Sequence, residues 1–349
     1  MRNVTKRTAL TGLLGLAIAA GSGATFAAET LYLGMNGGTM ERLYADKVLP
    51  AFEKANDVKV VIVPGTSADI LAKVQAAKDK PQMHVMFLDD GVMYRAISMG
   101  LCSPLEKSES LSQIPEKALI KDQAAAVSIG VTGLAYNTRM FKEEGWEAPT
   151  SWMDMADPKF EEKLVFQSMP SSSFGLHGFL AYNRIKGGTE ADVEPAFKAW
   201  PDEVGPNVLE YIPSSAKISE MVQTNEAALF PLTPTQVTAL KMRGVPVEYA
   251  QPKEGAVVLN VAECVIANNS NSALAQKLAA FLLTPEAQAA ALEFGDQIPS
   301  NPNTPTTDKT RGQVEAMAEY QKTALVIDWD QINQARPEWN SRWNRTIER

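Results

Sequence analysis

Two cysteines and two histidines among 349 residues are too few for several kinds of chemistry. Cys102 and Cys264 stand far apart, so there is neither a disulfide framework nor a paired-cysteine metal site. With only His84 and His177 present, no His-Glu-x-x-His metal motif exists, and a Ser-His-Asp site would have to use one of these two. Gly37-Gly38 is not a phosphate-binding loop of the Walker or dinucleotide type, and Gly187-Gly188 follows a helical pattern as a C-cap glycine does. Cationic excess is missing too: 33 Lys and Arg against 41 Asp and Glu give a net charge of -8, the wrong sign for holding a phosphate backbone. Beyond the first twenty residues no apolar run approaches the roughly 20 residues that span a bilayer. These absences point away from a metalloenzyme, a nucleotide hydrolase, a nucleic-acid binder and a membrane span.

What is present is an ordinary globular composition, 45% hydrophobic and 21% charged, long enough for about two domains. The first residues are set apart from it. Arg2, Lys6 and Arg7 form a basic start, residues 9–20 a short apolar core, and Thr25-Phe26-Ala27-Ala28 offers small residues to a peptidase. Residues 1–27 therefore read as a cleaved secretory leader, and no Cys follows it to take a lipid. Export makes a disulfide chemically permissible, but Cys102 and Cys264 each sit among apolar neighbours and are expected as two buried free thiols.

From Thr30 onward, apolar runs alternate with helical periodicity. Residues 31–35 read as a strand, Asn36-Gly37-Gly38 as a loop, and Thr39 as the cap of a helix carrying Tyr44, Val48 and Phe52. The β-branched run 58–63 reads as a strand buried on both faces of a parallel sheet. Thr66 and Asp69 are spaced as a capping box before Ile70, Leu71 and Val74, and residues 85–88 form the next strand, ending at Asp89. Further strands are expected at 128–137, 164–166, 227–232 and 256–267. Helices are expected at 174–185, after Ser272 and after Thr284-Pro285. The order implies an α/β fold, an open sheet with helices on both faces.

In such sheets ligands sit beyond the carboxyl ends of the strands, where helix N-termini present free N–H groups. Three small, polar segments have that position: Asn36 with Gly38 and Thr39; Gly65 with Thr66 and Ser67; and Ser168 with Ser171, Ser172 and Ser173. Asp89, and Thr233 with Thr235, end two further strands. Capping and turn formation account for the same residue types, so each is a candidate rather than an assignment.

Several pieces in order resemble a known family. Thr150-Ser151-Trp152-Met153-Asp154-Met155, Asp157-Pro158-Lys159-Phe160, Val85 to Gly91, Gly133 to Asn137, Pro252 to Gly255 and Phe281 to Glu286 are similar to the periplasmic solute-binding proteins of ABC importers. So is the tail with Asp328-Trp329-Asp330, Glu338-Trp339 and Arg342-Trp343-Asn344, and the nearest group is the spermidine/putrescine binders with their ferric-ion and phosphonate relatives. The resemblance implies a two-lobed α/β fold closing about a cleft, a small-molecule ligand, a membrane permease as partner, no cofactor and a monomer. It places lobe one at 28–130 plus 261–298 and lobe two at 131–260 plus 299–349, with crossings near 130–134, 257–261 and 295–301.

The polyamine pattern itself is broken. Where those binders stack aromatic rings and hold ammonium groups with carboxylates, this chain has Asn36-Gly37-Gly38-Thr39, Leu232-Thr233 and, on a crossing strand, Leu259-Asn260 with Glu263 one residue out of step. Asn260 joins the candidate ligand contacts. The Ser, Thr, Asn and Gly lining favours a carboxylate- or phosphonate-bearing solute. The alternatives are a polyamine held by Asp89 and Asp330, and a secreted hydrolase using Asp89 or Glu263 as base.

Overall fold

The computed structural model describes Met1 and residues 29–348. The leader and its cleavage site, read within residues 1–28, therefore lie outside the described residues apart from Met1. Ten strands join one curled sheet: β1 (Glu29–Met35), β2 (Val58–Pro64), β3 (Val85–Asp89), β4 (Leu119–Ile120), β5 (Ala124–Asn137), β6 (Leu164–Gln167), β7 (Val208–Ile212), β8 (Leu229–Leu232), β9 (Val247–Ala250) and β10 (Val257–Val265). Their order is β2-β1-β3-β10-β5-β8-β6-β7, with β4 and β9 also on β5. β1, β2 and β3 pair in parallel, as do β6, β7 and β8, whereas β10 and β5 run antiparallel to their neighbours.

The fourteen-residue β5 belongs to both ends of this sheet. Its residues Ala125 to Thr132 pair with β10, and from Gly133 onward it turns to β8 and β9. Separate apolar cores flank the two halves. Leu31, Leu33, Phe52, Phe87 and Leu278 pack on one, while Phe166, Phe179, Trp200 and Trp343 pack on the other. Ile129 also donates its N–H to the Ile298 carbonyl, at 2.9 Å, so a second segment runs beside the shared strand.

The helices that frame the strand ends are α1 (Thr39–Leu43), α2 (Leu49–Asn56), α3 (Ser67–Ala76), α4 (Asp90–Ser98), α5 (Ser173–Ile185), α6 (Pro234–Met242), α7 (Ser272–Leu282), α8 (Pro285–Gly295), α9 (Asp308–Lys322) and α10 (Trp329–Thr346). The Thr66–Asp69 capping box forms at α3 and Thr284 caps α8. Two caps differ from expectation. Gly38, not Thr39, holds the N-cap position of α1, with a φ of 75° that glycine adopts without strain, and Asn271 rather than Ser272 precedes α7.

The β-branched run of β2 does not lie inside the sheet. β2 is an edge strand, with Val58 and Val60 buried but Lys59 and Val61 exposed, so its continuous hydrophobicity serves one face. The last helix, α10, spans both halves. Its Trp343 lies among Phe166, Phe179, Trp200 and Tyr211 at ring separations of 5.4–6.0 Å, and its Trp329 ring packs against Gly91 of α4. Gly91 is what permits the latter approach, since a Cβ there would fall 2.6 Å from the Trp329 ring.

The cysteines are not free. Cys102 and Cys264 form a disulfide, with Cα atoms 5.7 Å apart across a sequence separation of 162. The reason is register: Cys264 lies on β10, and Cys102 pairs with Ile266 just beyond the end of that strand. Both belong to the first half of the sheet, so the bond closes a long loop without tying the halves together. Thiol titration in denaturant without reductant should find none. Cys102→Ala/Cys264→Ala should lose about 2–4 kcal/mol of stability, as expected for a long closed loop, with ligand affinity unchanged.

Glu263, on the same strand, is fully buried, and both carboxylate oxygens lack a hydrogen-bond partner among the described residues. Burial pushes its carboxyl well above the usual range. The folded form keeps a proton that the unfolded chain releases, so stability is greatest below the ordinary glutamate value and falls as pH rises toward the elevated one. Glu263→Gln should remove that slope. The melting temperature of the wild type should drop relative to the variant between pH 5 and pH 8, and a constant difference would refute the assignment.

Candidate functional site

The carboxyl ends of β1, β2 and β3 face those of β6 and β8 across a cavity of about 620 Å³. Eleven of the residues singled out from sequence line it: Asn36, Gly38 and Thr39 after β1; Thr66 and Ser67 after β2; Asp89 at the end of β3; Ser171, Ser172 and Ser173 after β6; Thr233 and Thr235 after β8. The caps that make these residues ordinary also aim three helices at the space. Thr66 accepts the Asp69 N–H, Ser172 the Phe174 N–H at 3.2 Å, and Thr233 the Gln236 N–H at 3.2 Å. The first turns of α3, α5 and α6 thus converge from both halves of the sheet, each with a partial positive charge. Thr235 also reaches across, its Oγ1 donating to the Asp296 carbonyl at 3.4 Å.

The structure does not bring Ser168 and Asn260 to the cavity. Ser168 is buried, and its hydroxyl donates to Glu348 at 2.5 Å, fastening the end of the chain. On β10 the flanking Leu259 and Val261 face the cavity instead of Asn260, whose backbone N–H donates to Asp90 at 3.2 Å and whose buried Oδ1 has no hydrogen-bond partner among the described residues. Burial lifts the Asp90 carboxyl to about 7 despite that bond and the one from the Gly91 N–H.

Four arginines that the strand-end reasoning passed over complete the lining: Arg42, Arg95, Arg243 and Arg336. Arg336 stands out. Only 4% exposed, it occupies the buried stripe of α10 at the spacing Trp329, Ile332, Arg336, Trp339, Trp343, and its Nε lacks a hydrogen-bond partner among the described residues. A charge inside a 3-4-3-4 apolar pattern is the sequence signal that could have found it. Burial, then the neighbouring Arg95 charge, lowers its pKa to about 10 against the opposing influence of Asp89, so it stays cationic at neutral pH.

Asp89 is the one carboxylate among the lining residues. Burial pushes its carboxyl up, opposed by hydrogen bonds from Ser173 and Ser67 and by the Arg336 charge. Neither of the other acids considered from sequence reaches the cavity: Glu263 is enclosed in the core, and Asp330 is exposed and paired with Lys121 at 3.3 Å. Both histidines are internal. His84 accepts the Tyr32 N–H at 3.0 Å, while His177 meets Thr132 at 2.8 Å, with burial and then Arg336 holding its pKa at about 3. A second depression, of about 580 Å³, has the acids Asp157, Glu161, Asp202 and Glu203 and, among the described residues, no arginine or lysine in its wall. No group of three or more metal-ligating side chains occurs among the described residues, and no helix there is long and apolar enough to cross a membrane.

Comparison with known proteins agrees with this architecture. The profile of bacterial extracellular solute-binding proteins matches residues 47–320. A Salmonella typhimurium protein, provisionally named a 2-aminoethylphosphonate-binding periplasmic protein, is 22% identical over 309 residues, covering 85% of this chain and 86% of its own. Among solved structures, an ABC transporter substrate-binding protein from Bradyrhizobium japonicum superposes with a TM-score of 0.77 at 18% identity, covering 91% of this chain and 99% of its own. The periplasmic binding protein AfuA from Actinobacillus pleuropneumoniae, solved with fructose-6-phosphate, gives 0.74 at 23% identity over 92% and 99%. The fold is thus the two-lobed one of periplasmic binding proteins, and the chain belongs to the bacterial extracellular solute-binding protein family, the substrate-binding components of ABC transporters.

Proposed function

We propose that this protein captures a small polar solute bearing a carboxylate or phosphonate group between its lobes and hands it to a membrane permease, without catalysing a reaction. The observation that carries this reading is Arg336: a guanidinium held off water, with Arg95 beside it and three helix N-termini converging on the same space, is built to receive negative charge. The name of the Salmonella typhimurium relative lends support to a phosphonate. A flexible dication would need carboxylates at both ends, and Asp330 is committed to Lys121 outside the cavity. Of the two bases a hydrolase reading could use, Glu263 is sealed in the core, and Asp89, though it lines the cavity, is engaged by Ser173 with no histidine among the described lining residues.

The proposal includes lobes at 28–130 plus 261–298 and 131–260 plus 299–349, moving about the β5 crossing, in a monomer exported to the periplasm by its cleaved leader. Closure on ligand should lower the radius of gyration measured by X-ray scattering, and an unchanged profile at saturation would count against it.

Calorimetry with alkylphosphonates, small carboxylates, putrescine and spermidine tests the charge of the cargo. Anions should bind at micromolar or tighter affinity, and a response to polyamines alone would reverse the reading. Two variants sharpen the test. Ser172→Asp keeps an N-cap acceptor for α5 but sets a negative charge at the cavity wall, so anion binding should vanish while the fold persists. Arg336→Met fits the apolar stripe but takes the opposing charge from Asp89, so its melting curve is read beside the binding data to separate lost affinity from lost stability. The variant forfeits charge-assisted bonds of about 1.5–3 kcal/mol each, so affinity should fall by roughly a hundredfold or more.

A further inference from the structure

An anion-binding cavity with a carboxylate in its wall calls for an explanation, and the surroundings of Asp89 supply one. Asp89 holds the N-cap position of α4 yet makes no side-chain bond to that helix, unlike Thr66, Ser172 and Thr233 at theirs. Its carboxylate instead receives the Ser173 hydroxyl at 2.6 Å, while its backbone N–H donates to Ser67 Oγ at 3.1 Å. Ser67 and Ser173 are the first residues of α3 and α5, and these helices belong to opposite halves of the sheet. The Arg336 charge acts on the same carboxylate. One residue thus engages the hydroxyls at two helix N-termini, accepting from Ser173 across the cleft and donating its N–H to Ser67, beside the buried guanidinium. These are the surroundings of a bound anion, provided by the chain itself.

We propose that Asp89 is a resident anion of the binding cleft: through Ser173 it holds the two halves together in ligand-free protein, and it competes with anionic cargo for Ser173 and Arg336. The competition rests on the anion reading above; the holding does not. Like charges at close range lower affinity, and the same carboxylate offsets the guanidinium while no cargo is bound. The cleft would therefore bind anions more weakly than its arginines alone allow, which favours release as well as capture.

Two variants separate these roles. Ser173→Ala removes the short Asp89 bond across the cleft and leaves the charge and the longer Thr235–Asp296 contact, so the radius of gyration of ligand-free protein should rise above that of wild type. Asp89→Asn removes the charge and keeps the shape, so its affinity for propylphosphonate, measured by calorimetry at low ionic strength, should rise about tenfold or more, with the gain shrinking as salt is added. Melting curves for both confirm that they are folded. A ligand-free scattering profile of Ser173→Ala that superimposes on wild type would overturn the proposal. So would unchanged or weaker binding of propylphosphonate by Asp89→Asn, or a gain for propylphosphonate accompanied by loss of 3-aminopropylphosphonate, which would make Asp89 the acceptor of a cargo ammonium. If wild type and Asp89→Asn bind no anion at all, the anion reading fails and the competition with it, while scattering still decides whether Asp89 and Ser173 hold the halves together.

Discussion

Burying a guanidinium on the apolar face of α10 is the constraint to which the site answers. Taking such a charge out of water costs several kcal/mol unless an anion or a set of acceptors compensates it. Arg336 has Asp89 nearby and Arg95 adding to the positive field. The helix that carries it is fixed at both ends by aromatic packing, Trp329 against Gly91 on α4 and Trp343 within the cluster around Trp200. Neither contact involves the cavity, yet together they hold the guanidinium between the two halves of the sheet.

The rest of the cavity follows from strand direction. Where β1, β2 and β3 end on one side and β6 and β8 on the other, the chain must turn into helices, and small hydroxyl residues are what those turns require. Capping uses one lone pair of each hydroxyl; Thr66 then gives its proton to Asp69 at 2.8 Å and Ser172 to Gln167 at 3.4 Å, whereas that of Thr233 remains to donate to a ligand. Local fold and site chemistry are therefore not separable at Thr233. At Ser168 they are, because its hydroxyl goes to Glu348 instead.

Three acids show how strongly surroundings decide what a carboxylate does here. Asp89 is held by the Ser173 hydroxyl and faces a guanidinium, Asp90 is held by the N–H groups of Asn260 and Gly91, and Glu263 by nothing polar among the described residues. Asp89 and Asp90 are adjacent in sequence, but one faces the cleft and the other the base of α4. Glu263 stands on β10 opposite Phe87, fully buried and away from the cavity lining.

Much of the fold was legible because period and punctuation are local. Alternating runs, the Thr66–Asp69 spacing and Thr284-Pro285 placed strands and helix starts, and polar residues after strands placed eleven contributors to the cavity wall. What stayed hidden depends on pairing over long distances. The apolar settings of Cys102 and Cys264 said that both are buried; only the register of β10 brought them together across 162 residues. The run 58–63 announced a strand, but whether one face or two is covered depends on its place in the sheet order, and β2 lies at the edge. Arg336 was visible as a charge in an apolar stripe, yet the anion it calls for could be seen only once α10 had docked beside Asp89. Sequence alone determined the segments and their polarity, because those follow from side-chain spacing along one chain. Tertiary structure decided which charges meet, because that depends on where distant segments come to rest.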